Sequence, residues 1–533
     1  MDRPYKLEMI KLTSGQDYNI FLFHDLIQLR RCVMRARLFY LLIGISVFVL
    51  MFSGCRVERE TSDVQGKVAQ MEADYSPPPI SRPMLRGIWV ASWGDGILNR
   101  EQCEELVETV RASNMNAIFP EVRKVGDAYY LKGFEPRATN IKAGEDFDPL
   151  QYLIGLCHDT SDGKRYIEVH AWCVTFRLWR DVLGDPPPGH LFAEYPETVM
   201  LTADGRDNAD GTMFADPGHP RTEEWTVRVF RNLAEEYDID GVHHDYVRYP
   251  EYEGDWGYNP VSLERFRERT GFDGTPEGDN VMWSEWQREQ VRNTVRRVYA
   301  EVTEVNPDCL VSAATLNWGL ETDPWKWRNG TPRVKAKQDW VSFMKEGGLD
   351  MNCLMNYSRH KTQPHRFPDY TDLALRTRFD RHAIIGPGIY LNTVEDGFEQ
   401  INMAVEKGAD GVLLYAWNGW TKDEGVSRSE YFQRLKNEVF QEPVDLPERP
   451  WKDNPVYGSV IGQITDESGE WIEGAVVTLD GVETMATDGT GFYAFFRVDP
   501  GEHVVSITVP DGKTITEKCD LDAGETERID QEM

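Results

Sequence analysis

At 533 residues the chain is too long for one compact core, so two or more domains are expected. A formal net charge of -31 weighs against nucleic acid as a partner, because phosphates would be repelled, and against a basic patch for anionic lipid. The 16 Trp and 22 Tyr suit sugar binding, where flat rings stack on pyranose faces, and they equally suit a large core.

In chain order, Arg30, Arg31, Arg35 and Arg37 precede an apolar run from Leu38 to Phe52. A basic segment followed by an apolar one of this length reads as an export signal rather than a membrane span, with Met34 the natural initiator. The run closes on Ser53-Gly54-Cys55. Small residues before a Cys resemble the bacterial lipobox, which makes Cys55 a candidate lipidation site and residues 1–55 the signal. Residues 56–84 are polar, contain Ser76-Pro77-Pro78-Pro79, and read as a tether. The expected location is therefore the bacterial cell envelope, on its periplasmic or outer-membrane face, held to the membrane by lipid.

From 85 to 440 strand-like runs alternate with helical ones. The strands are expected at Gly87–Ser92, Ala117–Arg123, Tyr166–Val174, Gly241–Tyr246, Leu310–Leu316, Met351–Tyr357, Ala383–Tyr390 and Gly411–Trp417. Helical patterns such as Arg100–Ser113, Arg221–Tyr237, Trp283–Val305 and Gln338–Gly347 lie between them. Eight such units predict an α/β fold, a (β/α)8 TIM barrel. No dinucleotide turn, P-loop or nucleophile elbow is present. A Pro-rich linker, 441–455, leads to residues 456–533. There, alternating runs at Gly458–Thr465, Ala475–Leu479, Gly491–Phe496 and His503–Val509 predict a small all-β sandwich. The eight Cys show no CxxC pair and no zinc spacing, so no disulfide framework is expected. The main reading calls for no metal and no cofactor.

The barrel carries Arg86-Gly87-Ile88-Trp89, Phe119-Pro120-Glu121-Val122-Arg123 and Gly126-Asp127-Ala128-Tyr129-Tyr130. Further along come Glu168-Val169-His170-Ala171-Trp172, Asp216-Pro217-Gly218-His219-Pro220, the stretch Asp240–Pro250, Gly348-Leu349-Asp350-Met351 and Asn356-Tyr357. In this order these pieces resemble the bacterial glycosyl hydrolase-like family 10. The resemblance implies a TIM barrel with glycosidase-type activity on a polysaccharide, and some relatives look like envelope enzymes cutting peptidoglycan glycan strands. Two positions depart from the family pattern: Glu121 stands where relatives usually carry Gln, and Asp245-Tyr246 where they carry two consecutive Asp. Gly462–Asp466, Gly474–Val477, Thr487–Tyr493 and Pro500–His503 resemble the carboxypeptidase regulatory-like domain, which implies a spacer or binding module without chemistry.

Glycoside hydrolysis commonly needs two carboxyl groups, about 5–5.5 Å apart for retention and about 6.5–9.5 Å for inversion. In a barrel they should stand at strand C-termini and point inward. Asp245 is the first candidate, as nucleophile or acid/base, its bland alternative being an ion pair with Arg248 or a helix cap. Glu121 is the second, its bland alternative a pair with Arg123, with which alternation gives it a shared face. Asp216 is expected to cap the helix near Arg221. Glu395 and Asp396, past the seventh strand, stay open as candidates. His170, Trp172, Arg248, Asn317, Trp318, Asn356, Tyr357, Tyr390 and Trp417, at or just past strand ends, are the candidate substrate-binding residues. Two rival readings stand beside this one. His170, His243 and Asp245 could share an inward face and hold zinc or iron for a metal-dependent hydrolase or deacetylase. Alternatively, the chain is a non-catalytic glycan-binding lipoprotein.

Overall fold

The computed structural model describes residues 82–319, 323 and 326–533. The expected export signal, Cys55 and nearly all of the tether lie outside the described residues. Eight strands close into a parallel barrel: β1 (Leu85–Val90), β2 (Ala117–Arg123), β3 (Glu168–Val174), β4 (Gly241–Asp245), β5 (Leu310–Leu316), β6 (Met351–Asn356), β7 (His382–Pro387) and β8 (Gly411–Leu414). Each pairs with its sequence neighbours, and β8 returns to β1. Every residue of β1 to β5, β7 and β8 is buried. That explains why these strands read as continuous apolar runs: a parallel sheet here has its interior on one side and helices on the other.

The surrounding helices are α1 (Arg100–Ala112), α2 (Pro149–His158), α3 (Pro220–Glu236), α4 (Val281–Val305), α5 (Trp340–Glu346), α6 (Arg366–Arg376), α7 (Val394–Glu406) and α8 (Arg428–Glu438). Their starts are set by side chains that accept otherwise orphaned amide protons: Asn99 for α1, Asp148 for α2, Asn280 for α4, Thr393 for α7 and Ser427 for α8. The expected cap of α3 is corrected. His219 Nδ1 accepts the Arg221 N–H at 3.2 Å, while Asp216 turns into the protein and accepts the Gly218 N–H at 2.8 Å.

Inside the barrel Leu85, Trp89, Phe119, Trp172, Leu310, Ala314, Met351, Cys353, Ile384 and Leu413 form one packed cluster, so the lower barrel is a core rather than a pore. Gly386 on β7 makes room for Trp89: a Cβ there would stand 2.7 Å from the indole ring. The long connections follow strand C-termini. After β3 comes a hairpin of Arg177–Arg180 with Thr212–Phe214, and after β4 an extra helix, Pro260–Thr270. They therefore build on the mouth of the barrel.

The C-terminal strands are β9 (Gly458–Thr465), β10 (Val476–Leu479), β11 (Glu483–Ala486), β12 (Phe492–Val498), β13 (Gly501–Thr508), β14 (Thr514–Leu521), β15 (Thr526–Arg528) and β16 (Gln531–Glu532). They form two sheets, β12-β9-β15 with β16 also on β9, and β11-β10-β13-β14. Val460, Ile464, Val477, Tyr493, Val505, Ile507 and Leu521 lie between them. This sandwich rests on α4: Ala300 packs with Ile461, Phe492 and Ala494, and Arg528 donates to Glu304 at 2.6 and 2.9 Å. The segment leading to it is docked beneath the barrel. Arg449 pairs with Glu168 at the start of β3, and the Trp451 indole donates to Asp350 at 2.7 Å.

Candidate functional site

At the C-terminal mouth of the barrel a cavity of about 220 Å³ is lined by Trp89, Trp93, Glu121, Trp172, Arg177, Asp245, Tyr246, Arg248, Glu251, Ala314, Leu316, Trp318, Met355, Tyr357, Tyr390 and Tyr415. Both nominated carboxyl groups are there. In register Glu121 on β2 faces Trp172 on β3, and Trp172 faces His243 on β4, two residues before Asp245. The carboxyl groups thus come from β2 and β4, on either side of Trp172, whose indole N–H donates to Asp245 Oδ2 at 3.2 Å.

Their surroundings differ. Glu121 is 1% exposed and accepts the Ser92 N–H at 2.9 Å and the Ser92 hydroxyl at 2.8 Å. Burial outweighs these bonds and the more distant Arg177, and pushes its carboxyl up to about 7. Asp245 meets three N–H donors: the Tyr246 amide at 2.7 Å, the Trp172 indole, and the Arg248 guanidinium at 3.3 Å. The ion pair with Arg248 is therefore real, and it lies within the cavity. Tyr246 sits in the left-handed region at φ 49°, rare for a non-glycine residue. Its ring is packed by Arg177 at 3.8 Å and Arg248 at 4.0 Å.

The alternative for Glu121, a pair with Arg123, does not form. A bulge between Glu121 and Arg123 breaks the alternation, so the two no longer share a face. Arg123 instead makes a bidentate pair with Glu135 at 2.6 and 2.7 Å, both side chains fully buried, and also donates to the Val174 carbonyl on β3. The bulge thus leaves Glu121 in the cavity without Arg123 beside it and uses Arg123 to fasten the loop above β2. Arg123→Ala, which strands the Glu135 charge, is expected to destabilise the barrel by about 3–5 kcal/mol. The joint change Arg123→Met with Glu135→Leu should cost clearly less, read as denaturant midpoints by tryptophan fluorescence.

Of the nominated binding residues, Trp172, Arg248, Trp318, Tyr357 and Tyr390 line the cavity. Four do not, and their placement is corrected. His170 lies lower in the barrel, its ring stacked on Phe119 at 4.3 Å and bonded to Glu168 at 3.1 Å. Asn317 donates to Asn356 at 2.7 Å, and Asn356 donates to the Phe367 carbonyl and Thr371 on α6, so both amides tie strands to a helix. Trp417 is buried against Phe432 with Arg428 over its ring at 4.0 Å, facing α8. Glu395 pairs with Arg434 and Asp396 with Lys361, both away from the cavity. Asp216, which burial raises to about 6, does not line it either.

The metal reading also lacks its geometry. His243 Nε2 accepts the Trp89 indole N–H at 3.0 Å, so its proton is on Nδ1 and goes to Ser312 Oγ at 2.8 Å. Neither nitrogen is left to bind an ion, and His170 is engaged below. Missed by sequence reasoning were Trp89, Trp93, Arg177, Tyr246, Glu251 and Tyr415. Trp89 and Tyr246 stood inside the motifs; the others lie just past strand ends. Trp93 and Tyr390, 60% and 40% exposed, put open aromatic faces at the rim.

Residues 84–367 match the family model described as glycosyl hydrolase-like 10, and residues 459–533 match the carboxypeptidase regulatory-like domain. The glycosyl hydrolase YngK of Bacillus subtilis is 22% identical over 477 residues, 82% of this chain and 87% of the relative. The glycosyl hydrolase DigH of Escherichia coli is 24% identical over 273 residues, 44% of this chain and 58% of the relative. Among solved structures, the glycoside hydrolase domain of PgaB (BpsB) from Bordetella bronchiseptica aligns with a TM-score of 0.50 and 12% identity, over 68% of this chain and 100% of that domain. At that identity the likeness is one of fold.

Proposed function

The chain belongs to the glycosyl hydrolase-like 10 family, and from that premise we propose that it hydrolyses glycosidic bonds in a polysaccharide, with Glu121 and Asp245 as the catalytic carboxyl groups. One observation carries the reading: two carboxyl groups with contrasting surroundings line one aromatic-walled cavity at the barrel mouth. Glu121, buried and protonated up to about pH 7, donates its proton to the leaving glycosidic oxygen. Asp245, held by Tyr246, Trp172 and Arg248, acts as the anionic partner. It attacks the anomeric carbon or draws a proton from water. Trp93, Trp318 and Tyr390 supply faces on which sugar rings stack, and Trp172 keeps Asp245 in one orientation.

The proposed setting is the cell envelope, reached through the export signal and a lipid on Cys55, with the sandwich as spacer or binding module. The family resemblance makes peptide-free peptidoglycan strands the first substrate to try. The test is product release from a glycan panel by the full chain and by its Asp245→Asn form. Cleavage by the parent alone supports the reading. Binding of a glycan without turnover by either protein overturns it and favours a non-catalytic glycan-binding protein.

A further inference from the structure

The cavity holds two guanidinium groups, and their situations are unequal. Arg248 is 3% exposed and has two carboxylate partners, Asp245 at 3.3 Å and Glu251 at 3.4 Å. Arg177, at the start of the hairpin that follows β3, is half-buried and lies in the same wall. Among the described residues no carboxylate is in ion-pair contact with it and no acceptor takes its side-chain N–H groups. Its one close partner is the face of Tyr246, 3.8 Å from the guanidinium carbon. That contact leaves the edge of the guanidinium, with its fork of donors, unused.

The position is held from several sides. The Arg177 backbone pairs with Phe214 across the hairpin. Tyr246 is fixed by its left-handed backbone, by the bond from its amide to Asp245, and by Arg248 on its ring. The arginine is therefore stacked in place before any ligand arrives, and little side-chain freedom remains to be lost on binding. A charge held this way, partly withdrawn from water and with no carboxylate in direct contact, Glu121 acting on it only from a distance, favours an anionic ligand group in the cavity.

We propose that the sugar bound in this cavity carries a carboxylate and that Arg177 reads it as a bidentate partner, making Arg177 a specificity-determining residue. The proposal rests on the glycan-directed reading of the cavity and deepens it. A uronic acid supplies that chemistry, and so does a sugar bearing a lactyl ether such as peptide-free muramic acid. A neutral hexose polymer does not.

The test is a binding titration with the full chain in its Asp245→Asn form, so that no turnover is needed, followed by kinetics with the parent. The probes are oligouronides and peptide-free muramic-acid oligosaccharides, each beside its carboxyl-reduced form. At least one acidic probe is expected to bind roughly 10- to 100-fold more tightly than its reduced form, the range of one charge-assisted bidentate contact. Arg177→Gln should erase that preference while leaving the reduced form unaffected, and Arg177→Lys, which keeps charge without the fork, should restore part of it. Which acidic probe is preferred identifies the source of the carboxylate. Equal binding within every pair, no binding of any probe, or a preference that survives Arg177→Gln overturns the proposal. A role confined to the field at Glu121 would change the pH profile of cleavage equally for both forms and leave the binding preference intact. Acid-selective binding without cleavage by the parent would sink the hydrolase reading and leave this one standing.

Discussion

Asp245→Asn is expected to lower kcat/KM on a cleaved glycan by at least about 10⁴-fold, the scale on which loss of a reacting group is felt. The substitution keeps the shape of the side chain and removes its charge. One amide oxygen can still accept the Tyr246 N–H and the Arg248 guanidinium, which share one carboxylate oxygen in the parent, but the new NH2 then faces the Trp172 indole, donor against donor. Asn therefore removes the anion without emptying the site, and substrate stacked on the rim aromatics should still bind. The loss belongs in kcat, with KM changed far less. Glu395→Gln is the matched control. That carboxylate also follows a strand end, yet it pairs with Arg434 at the surface, and its loss should leave the rate within about twofold. Rates of the three proteins on one glycan, with thermal melts to show intact folding, decide the matter. An Asp245→Asn protein with more than a tenth of parental activity would remove Asp245 from the chemistry.

The contrast between Asp245 and its neighbours shows what the sequence exposes and what it withholds. The barrel was legible because each strand is buried on both faces, which writes an apolar run, and each helix is buried on one, which writes a period near four. The strand end at Asp245 was legible because acid, base and aromatic residues follow an apolar run abruptly. What sequence reasoning lacked was parity. Asn317 and Trp318, and again Asn356 and Tyr357, were nominated as pairs, although adjacent residues leave a strand on opposite sides. Trp318 and Tyr357 face the cavity; each Asn faces a helix. Parity also depends on where a strand stops. β8 ends at Leu414, so Tyr415 closes the cavity and Trp417 has already turned toward α8. The bulge after Glu121 is a third case: one extra residue reverses the side on which Arg123 emerges, and no composition signal marks it. Depth is a separate variable. His170 has the parity of Trp172 and sits one layer lower, where it meets Glu168 rather than the cavity. The C-terminal strand Thr514–Leu521 was missed because Glu517 interrupts its inward row of Ile515, Cys519 and Leu521.

Glu121 carries the second large prediction, and its sign follows from burial. The carboxyl is held up at about 7 because the charged form is poorly solvated there. A general acid works while protonated, so kcat/KM should fall as pH rises through about 7. Glu121→Gln removes the proton altogether. It is expected to lower kcat/KM by on the order of 10²–10⁴-fold and to abolish that alkaline limb. The loss should shrink on an aryl glycoside with a strongly acidic leaving group, whose departure needs no proton; loss independent of the leaving group would instead mark a structural role. Stability supplies an independent reading of the same group. Its folded-state value exceeds the unfolded one, so the native chain holds the proton longer. The stabilisation from that proton is complete below the unfolded value, near 4.5, and drains away as pH rises through about 7. Between pH 5 and pH 8 the parent should therefore lose about 2–3 kcal/mol from this group that the Gln variant does not lose. Melting curves of both proteins across that interval give the difference directly. If the gap between them does not widen with pH, Glu121 is already ionised in the fold, and a carboxylate there could accept a proton but not deliver one. The acid would then have to be sought elsewhere in the same cavity. Glu251, paired with Arg248 on its rim, is the other carboxyl group in its lining.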